Sequence, residues 1–432
     1  MPSAPEPPVG RPFLADVPLH ADVPFLARSG PVPEGERIES LDVLRGLAVL
    51  GILMMNIQLF AMPSVAYENP AKFGNLQGLN YAVWLGGQIL CNGKFYGIFS
   101  MLFGAGIVLM SSRHEQTGRS AVGIHYRRMF TLLLIGLAHA HLVWNGDILY
   151  FYAVCGMIVY WARRWRPIWL ILTGVVLIGI TSGIMELGYA YLQGLDGEER
   201  ARTVAEWFPS AESTGEEIEA FRGGWFEQLP FRSRFAFHFE TKGLVGYVAA
   251  SSSGLMLLGM ALFKLGFLHA RRPTWNYALL IAAALGIGIP VILIGVNRLT
   301  ESGWRQDYVS LRGAQYNYWA APLVSLGWIG CIMLLCKHRA LTWLTGPLSD
   351  VGKMALTNYL MQSVICTTIF YGHGFGRFGR VERTGQLGVV LAVWLFQLIV
   401  SPLWLARFRF GPAEWAWRWM TYGRRPTMRR AA

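Results

Sequence analysis

The apolar runs of this chain are too long and too poor in charge to belong to a water-soluble globule. Between residues 40 and 405 they alternate with short clusters of arginine and lysine. Only 15% of the 432 residues are charged, while 53% are hydrophobic. An ordinary soluble domain carries roughly 25% charged residues, so too little polar surface remains to face water. A run of about 20 apolar residues crosses the hydrocarbon core as a helix. Backbone groups there must find partners within their own segment, which selects helices over open strands. The expected fold class is an all-α membrane protein, a polytopic bundle.

Ten spans are expected, at about 40–60, 79–112, 129–145, 147–162, 168–190, 243–266, 275–296, 319–336, 350–371 and 386–405. The second is interrupted at Asn92-Gly93-Lys94. Basic residues gather on one side of this arrangement, at Arg113, Arg119, Arg127 and Arg128, at Arg163, Arg164 and Arg166, at Lys264, Arg271 and Arg272, and at Lys337, Arg339 and Lys353. The tails add Arg11, Arg28 and Arg37 at one end and Arg407 to Arg430 at the other. Cytoplasmic connectors collect Lys and Arg, so both termini are expected in the cytoplasm. The same rule accounts for the net charge of +12 without a nucleic-acid partner.

The chain then divides into five parts. Residues 1–38 are Pro-rich, repeat Ala-Asp-Val-Pro, lack a signal-peptide core and read as a disordered tail. Residues 39–190 hold the first five spans. The acidic, aromatic-rich loop 191–242 reads as short helices on the outer face. Spans six to ten occupy 243–408. Residues 409–432 read as an interfacial helix, with Pro412 and Glu414 in its first turn, followed by a basic tail. The five cysteines show neither CxxC spacing nor loop pairing, so no metal site and no disulfide framework is expected.

An ionisable group at membrane depth costs several kcal/mol unless it is paired or wet, which singles out four clusters. In the first span, Asp42, Arg45 and Asn56 fall within roughly 60° of one helix face, with Arg45 and Asn56 about 16 Å apart along the axis. This is either a functional stripe or an ion pair plus an interhelical amide. In the second span Lys94 sits at the break, close to Tyr96; it lines a cavity or snorkels outward. The third cluster is His139-Ala-His141 followed by Gly146-Asp147. The two histidines point about 200° apart, so they are no metal pair, and each of His139 and His141 is either a satisfied packing residue or a general base. Asp147 stands in a tight turn where it can cap the next helix. In the fourth cluster Asn358 and Gln362 lie one turn apart, for helix contact or substrate contact. Gly374-Phe-Gly376-Arg-Phe-Gly379 matches a dinucleotide fingerprint in letters only, because it follows a membrane helix and not a strand.

These motifs together resemble the YeiB-like family of bacterial membrane proteins, catalogued as a domain of unknown function. The carriers are Leu-Asp-Val-Leu-Arg-Gly (41–46) with Asn56, Gly-Lys-Phe-Tyr (93–96), Trp-x-Gly-Asp-Ile-Leu (144–149), Leu-Thr-Asn-Tyr-Leu (356–360) with Gln-Ser (362–363), and Gly-Pro-x-Glu-Trp-x-Trp-Arg (411–418). The first span is also similar to that of transmembrane acyltransferases, which pass an acyl group from cytoplasmic acyl-CoA to a sugar or amine acceptor. That likeness implies acyl-CoA as donor, held by Arg45, while the resemblance to the bacterial family implies a plasma (inner) membrane location. It also implies a reacting group eleven positions later. Those acyltransferases carry histidine there and this chain carries Asn56, so the base must come from His139, His141 or Asp147.

Two functions follow as expectations. In the first, a membrane acyltransferase, Asp42, Arg45, Lys94, Tyr96, His141, Asn358 and Gln362 bind donor and acceptor. His139, Asp147 and Asn56 do the chemistry, with Asn56 stabilising the oxyanion. The alternative is a transporter using Asp42–Arg45, Lys94 and Asp147 as a polar pathway. Expected partners are membrane lipids and a small-molecule or envelope-glycan substrate; a homodimer stays open.

Overall fold

The protein is known from a computed structural model, which describes residues 38–430 apart from Thr117 and Arg119, and no side chains at 245–247. The expected disordered tail lies outside the described residues. Helices dominate from the first described turn to the last, and the described residues form no strand beyond an isolated bridge between Phe408 and Arg429.

The N-terminal half contains α1 (Glu39–Ala61), the short α2 (Ser64–Glu68), α3 (Gly78–Leu90), α4 (Lys94–Gln116), α5 (Val122–Leu142), α6 (Leu149–Val159) and α7 (Pro167–Gly194). The expected interruption is present: α3 stops at Leu90, and Gly93 takes a left-handed φ of +77° before α4 begins. Three helices follow over the loop expected to be short helices, α8 (Gly197–Trp207), α9 (Ala211–Arg222) and α10 (Trp225–His238). The last runs through a π-helical stretch, Phe239–Val248, into α11 (Ala249–Lys264). Then come α12 (Thr274–Ala283), α13 (Ile289–Glu301), α14 (Ala314–Lys337), α15 (Thr342–Lys353), α16 (Ala355–Phe370), α17 (Arg383–Arg407) and α18 (Pro412–Tyr422).

A polytopic helical membrane protein is what these elements make. Among the described residues six stretches are long and apolar enough to cross a bilayer: Glu39–Ala61, Gly78–Gln116, Pro167–Gly194, Thr274–Glu301, Tyr308–Lys337 and Arg383–Arg407. A seventh is added if Trp225–Leu244 and Ala249–Lys264, which meet at 65°, count as one broken span. The expected third, fourth and ninth spans do not pass this test. His125, Arg127, Arg128, His139 and His141 dilute the apolar content of α5. The eleven residues of α6 reach only about 16 Å, half of a core about 30 Å thick. A break at Met354 leaves α16 with 16 residues.

The bundle is held by close helix crossings. Gly46 on α1 and Gly352 on α15 face each other so tightly that a Cβ on either would collide with the other helix's backbone, at Leu348 and Asp42 respectively. Gly104 on α4 and Gly259 on α11 make the same reciprocal contact with Met256 and Met101. Between helices in lipid, packing contacts replace the hydrophobic drive, and small residues let backbones approach.

The two ends of the bundle differ. At one end Ser40 Oγ donates to the Leu268 carbonyl, Lys337 Nζ donates to that of Arg272, and Arg163 and Arg164 share Glu115. At the other, α9 is strapped down: Gly372 N–H donates to the Phe221 carbonyl, and both carboxylate oxygens of Glu217 accept from the N–H of Ser64. Burial pushes the Glu217 carboxyl up to about 7, against the pull of the Ser64 hydrogen bonds. Its folded-state value therefore lies above the ordinary one near 4.5, so the docked helix binds the proton more tightly than the released one. Docking is strongest below pH 4.5 and weakens as pH rises through about 7. Hydrogen exchange over residues 211–222 is expected to accelerate across that window, and Glu217→Gln is expected to flatten the dependence; an unchanged profile in the variant would contradict this account.

Candidate functional site

The polar centre of the bundle forms where α5 ends and the chain turns back. The N–H groups of Val143 and Trp144 both donate to the His139 carbonyl, closing the helix. Trp144 is buried and stacks on Phe60 of α1 at 4.1 Å between centroids. Its indole covers Gly146 so closely that a Cβ there would strike the ring. The turn delivers Asp147 against two partners. One carboxylate oxygen accepts the Tyr150 N–H at 2.9 Å, capping the start of α6, and the other lies 2.8 Å from His139 Nδ1. The capping expected of Asp147 is thus present, and its second oxygen engages His139.

His139 is 3% exposed and Asp147 2%. With Asp147 ionised, its oxygen accepts the Nδ1 proton, which leaves Nε2 with the lone pair. Nε2 is buried and makes no hydrogen bond. The Tyr359 ring of α16 lies 5.3 Å from the imidazole, and its hydroxyl is buried without a well-formed hydrogen bond. An imidazole oriented by a carboxylate through Nδ1, with Nε2 bare, is the arrangement a general base requires. His141 does point the other way, and its Nε2 meets Glu240 of the π-helical stretch at 3.2 Å.

At the opposite end of α1, Arg45 Nη1 donates to Asp42 at 2.6 Å, and one third of the Arg45 side chain is exposed. Arg45 lies within electrostatic range of Arg128 on α5. Among the described ion pairs Arg128 has no carboxylate; its guanidinium lies 4.4 Å from the Trp417 ring of α18. That helix is fixed by Glu414, which accepts from the N–H groups of Leu356 and Thr357 and from the Thr357 hydroxyl. So α18 caps the start of α16 and docks on the bundle. Along α1 the cationic end and the Phe60–Trp144 stack lie about 22 Å apart. Asn56 is half-buried between them, on the partly open stripe it shares with Arg45, and no described hydrogen bond uses its amide.

The remaining expected residues fall elsewhere. Lys94 does not snorkel: it is fully buried and donates to the Gln88 carbonyl at 2.5 Å and to Asn317 at 2.6 Å. Tyr96 shares hydroxyl hydrogen bonds with Ser252 and Ser251 of α11. Asn358 bonds the Val351 carbonyl and Ser401, while Gln362 bonds the Val49 carbonyl and Gln397, so both amides join helices. No described hydrogen bond or ion pair links Lys94 to the His139–Asp147 pair. Glu240, Arg128, Trp417 and Tyr359 were not singled out from the sequence. Tyr359 lies inside the quoted Leu-Thr-Asn-Tyr-Leu motif, whereas Glu240 carries no periodic signal, because it meets His141 only through the fold.

The family described as "Protein of unknown function (DUF418)" matches residues 262–424. The chain is 31% identical over 386 residues to "Uncharacterized protein YeiB" of Escherichia coli (strain K12), covering 89% of this chain and 96% of that one. It is 30% identical over 409 residues to "Uncharacterized protein YxaH" of Bacillus subtilis (strain 168), covering 91% and 96%.

Proposed function

The chain belongs to the YeiB-like family, and from that premise we propose that it is an acyl-CoA-dependent membrane acyltransferase with His139 as its general base. The observation that carries this reading is the 2.8 Å contact between His139 and Asp147 with Nε2 left bare. In the proposed step, Nε2 takes the proton of an acceptor hydroxyl or amine as that group attacks the acyl thioester carbonyl. Asn56 donates to the oxyanion. The tetrahedral species collapses, the carbon–sulfur bond breaks, and His139 returns the proton to the departing CoA thiolate. Asp147 holds the imidazole in the required tautomer.

Arg45 and Arg128, facing the cytoplasm in this reading, supply the cationic end that a CoA phosphate needs, and a guanidinium matches phosphate geometry in a fork. A hydrogen bond to a charged group contributes about 1.5–3 kcal/mol, so Arg45→Gln is expected to raise KM for acetyl-CoA roughly ten- to a hundredfold with kcat little changed. The experiment supplies labelled acetyl-CoA and bacterial envelope material to the purified protein in lipid. Absence of label transfer and of CoA release in the wild type would overturn the reading. A transport function is favoured by one feature, the 65° break between Trp225–Leu244 and Ala249–Lys264, since broken helices line pathways in carriers. Solute flux lost in Asp147→Asn, without CoA release, would favour it.

A further inference from the structure

We propose that Arg232, Glu240, His141 and Tyr371 form a binding site for a neutral, polyhydroxylated molecule beside the His139–Asp147 pair. The inference rests on the reading of His139 as a base, because it supplies the side from which an acceptor hydroxyl would approach.

Four separate elements contribute. Arg232 on α10 is fully buried; its Nε donates to the His141 carbonyl at 2.9 Å and its Nη1 to Gln228 at 3.3 Å, while Nη2 has no partner. Glu240, on the π-helical stretch, spends one oxygen on His141 and leaves the other buried and unused. Tyr371, after α16, is fully buried with an unpartnered hydroxyl, and lies within electrostatic range of Arg232. Glu240 is likewise in range of Asp147. His141 keeps 30% of its side chain exposed, which gives the cluster an opening.

A buried polar atom left without a partner costs about 1–3 kcal/mol. Arg232 and Glu240 both contact His141, and Tyr371 lies within electrostatic range of Arg232, so one bound molecule that reaches all three would satisfy them. The free groups are a donor on Arg232, an acceptor on Glu240 and a hydroxyl on Tyr371 that serves as either. One cation and one anion sum to no net charge, so the site asks for a neutral molecule whose hydroxyls both give and accept. Trp225, whose ring lies 5.4 Å from the Arg232 guanidinium, adds an aromatic face. The backbone agrees with this assignment. Glu240 stands on a π-helical stretch, and single π turns inside α-helices are frequent at functional sites. A break in an apolar helical segment is tolerated where it is buried in protein or lines a wet cavity.

The test is hydrogen exchange of the full chain in lipid nanodiscs, with methyl glucoside as probe and acetate and ethylammonium as charged comparators. At a probe concentration about three times the dissociation constant, exchange over residues 225–244 is expected to slow about fourfold. Glu240→Gln and Arg232→Gln are each expected to abolish that protection, with exchange over residues 39–61 unchanged. No protection in the wild type would mean that the site holds water only and would overturn the proposal. Protection by acetate in place of the glucoside, or protection surviving in both variants, would overturn it as well. Protection without acyl transfer upholds this site and sinks the transferase reading; acyl transfer without protection sinks this site alone.

Discussion

His139→Ala is expected to lower the rate of acyl transfer by about 10²–10⁴, the usual contribution of a positioned acid–base group, with KM for acetyl-CoA unchanged. Nε2 is the one nitrogen of the His139–Asp147 pair without a hydrogen bond, and alanine removes the only lone pair the pair offers to an acceptor. Asp147→Asn is expected to lose activity on a similar scale for a different reason. An asparagine keeps the Tyr150 cap when its carbonyl faces that N–H, but then it turns an amide N–H toward His139, which forces Nδ1 to accept and moves the proton to Nε2. The two losses should not multiply in the double variant, since groups acting as one unit are not additive. Full activity in His139→Ala with normal folding would remove His139 from the chemistry.

Gly46→Val and Gly104→Val are expected to abolish or strongly destabilise the fold, by about 3 kcal/mol or more, above the usual overpacking cost because the obstacle is backbone. At each position a new side chain meets a carbonyl of the neighbouring helix, Leu348 for Gly46 and Met256 for Gly104, and neither can rotate away. The collision is mutual: Gly352 and Gly259 face back into the same crossings. Thermal unfolding in detergent, followed by size-exclusion profile, should show a fall of many degrees or a failure to recover monodisperse protein. Gly106→Val, at a position that faces open space, serves as the control and is expected to behave as wild type.

Much of this was legible in the sequence, but pair by pair rather than as a site. The excess of apolar residues identified the solvent, and Gly93 marked the break before Lys94. The i, i+3 spacing of Asp42 and Arg45 anticipated their ion pair. His139 and Asp147 were both singled out, yet as alternatives. They are eight residues apart across a turn whose course depends on Trp144 packing against Phe60, and helix periodicity carries no information across such a turn. The number of spans was harder, because α5 is diluted by the buried His125 and His139 and by Arg127, Arg128 and His141, so its hydropathy falls below that of the long apolar helices. Glu414 was read as a first-turn acid of its own helix, while in the fold it caps α16 through Thr357. Two motifs quoted separately, 356–360 and 411–418, are thus one contact. Gly46 closed a recognisable motif without an assigned purpose, and the α1–α15 crossing supplies it. Arg232 and Glu240 both reach His141 across some ninety residues or more, separations that no local pattern reports.

The account depends most on the protonation of one imidazole. Nitrogen-15 spectroscopy of histidine-labelled protein in lipid, with His139 assigned by its loss in His139→Gln, reads that directly. The account predicts a proton on Nδ1, a bare Nε2, and transfer of the proton to Nε2 in Asp147→Asn. A His139 protonated on Nε2 in the wild type, or on both nitrogens, would have no lone pair to offer and would contradict it.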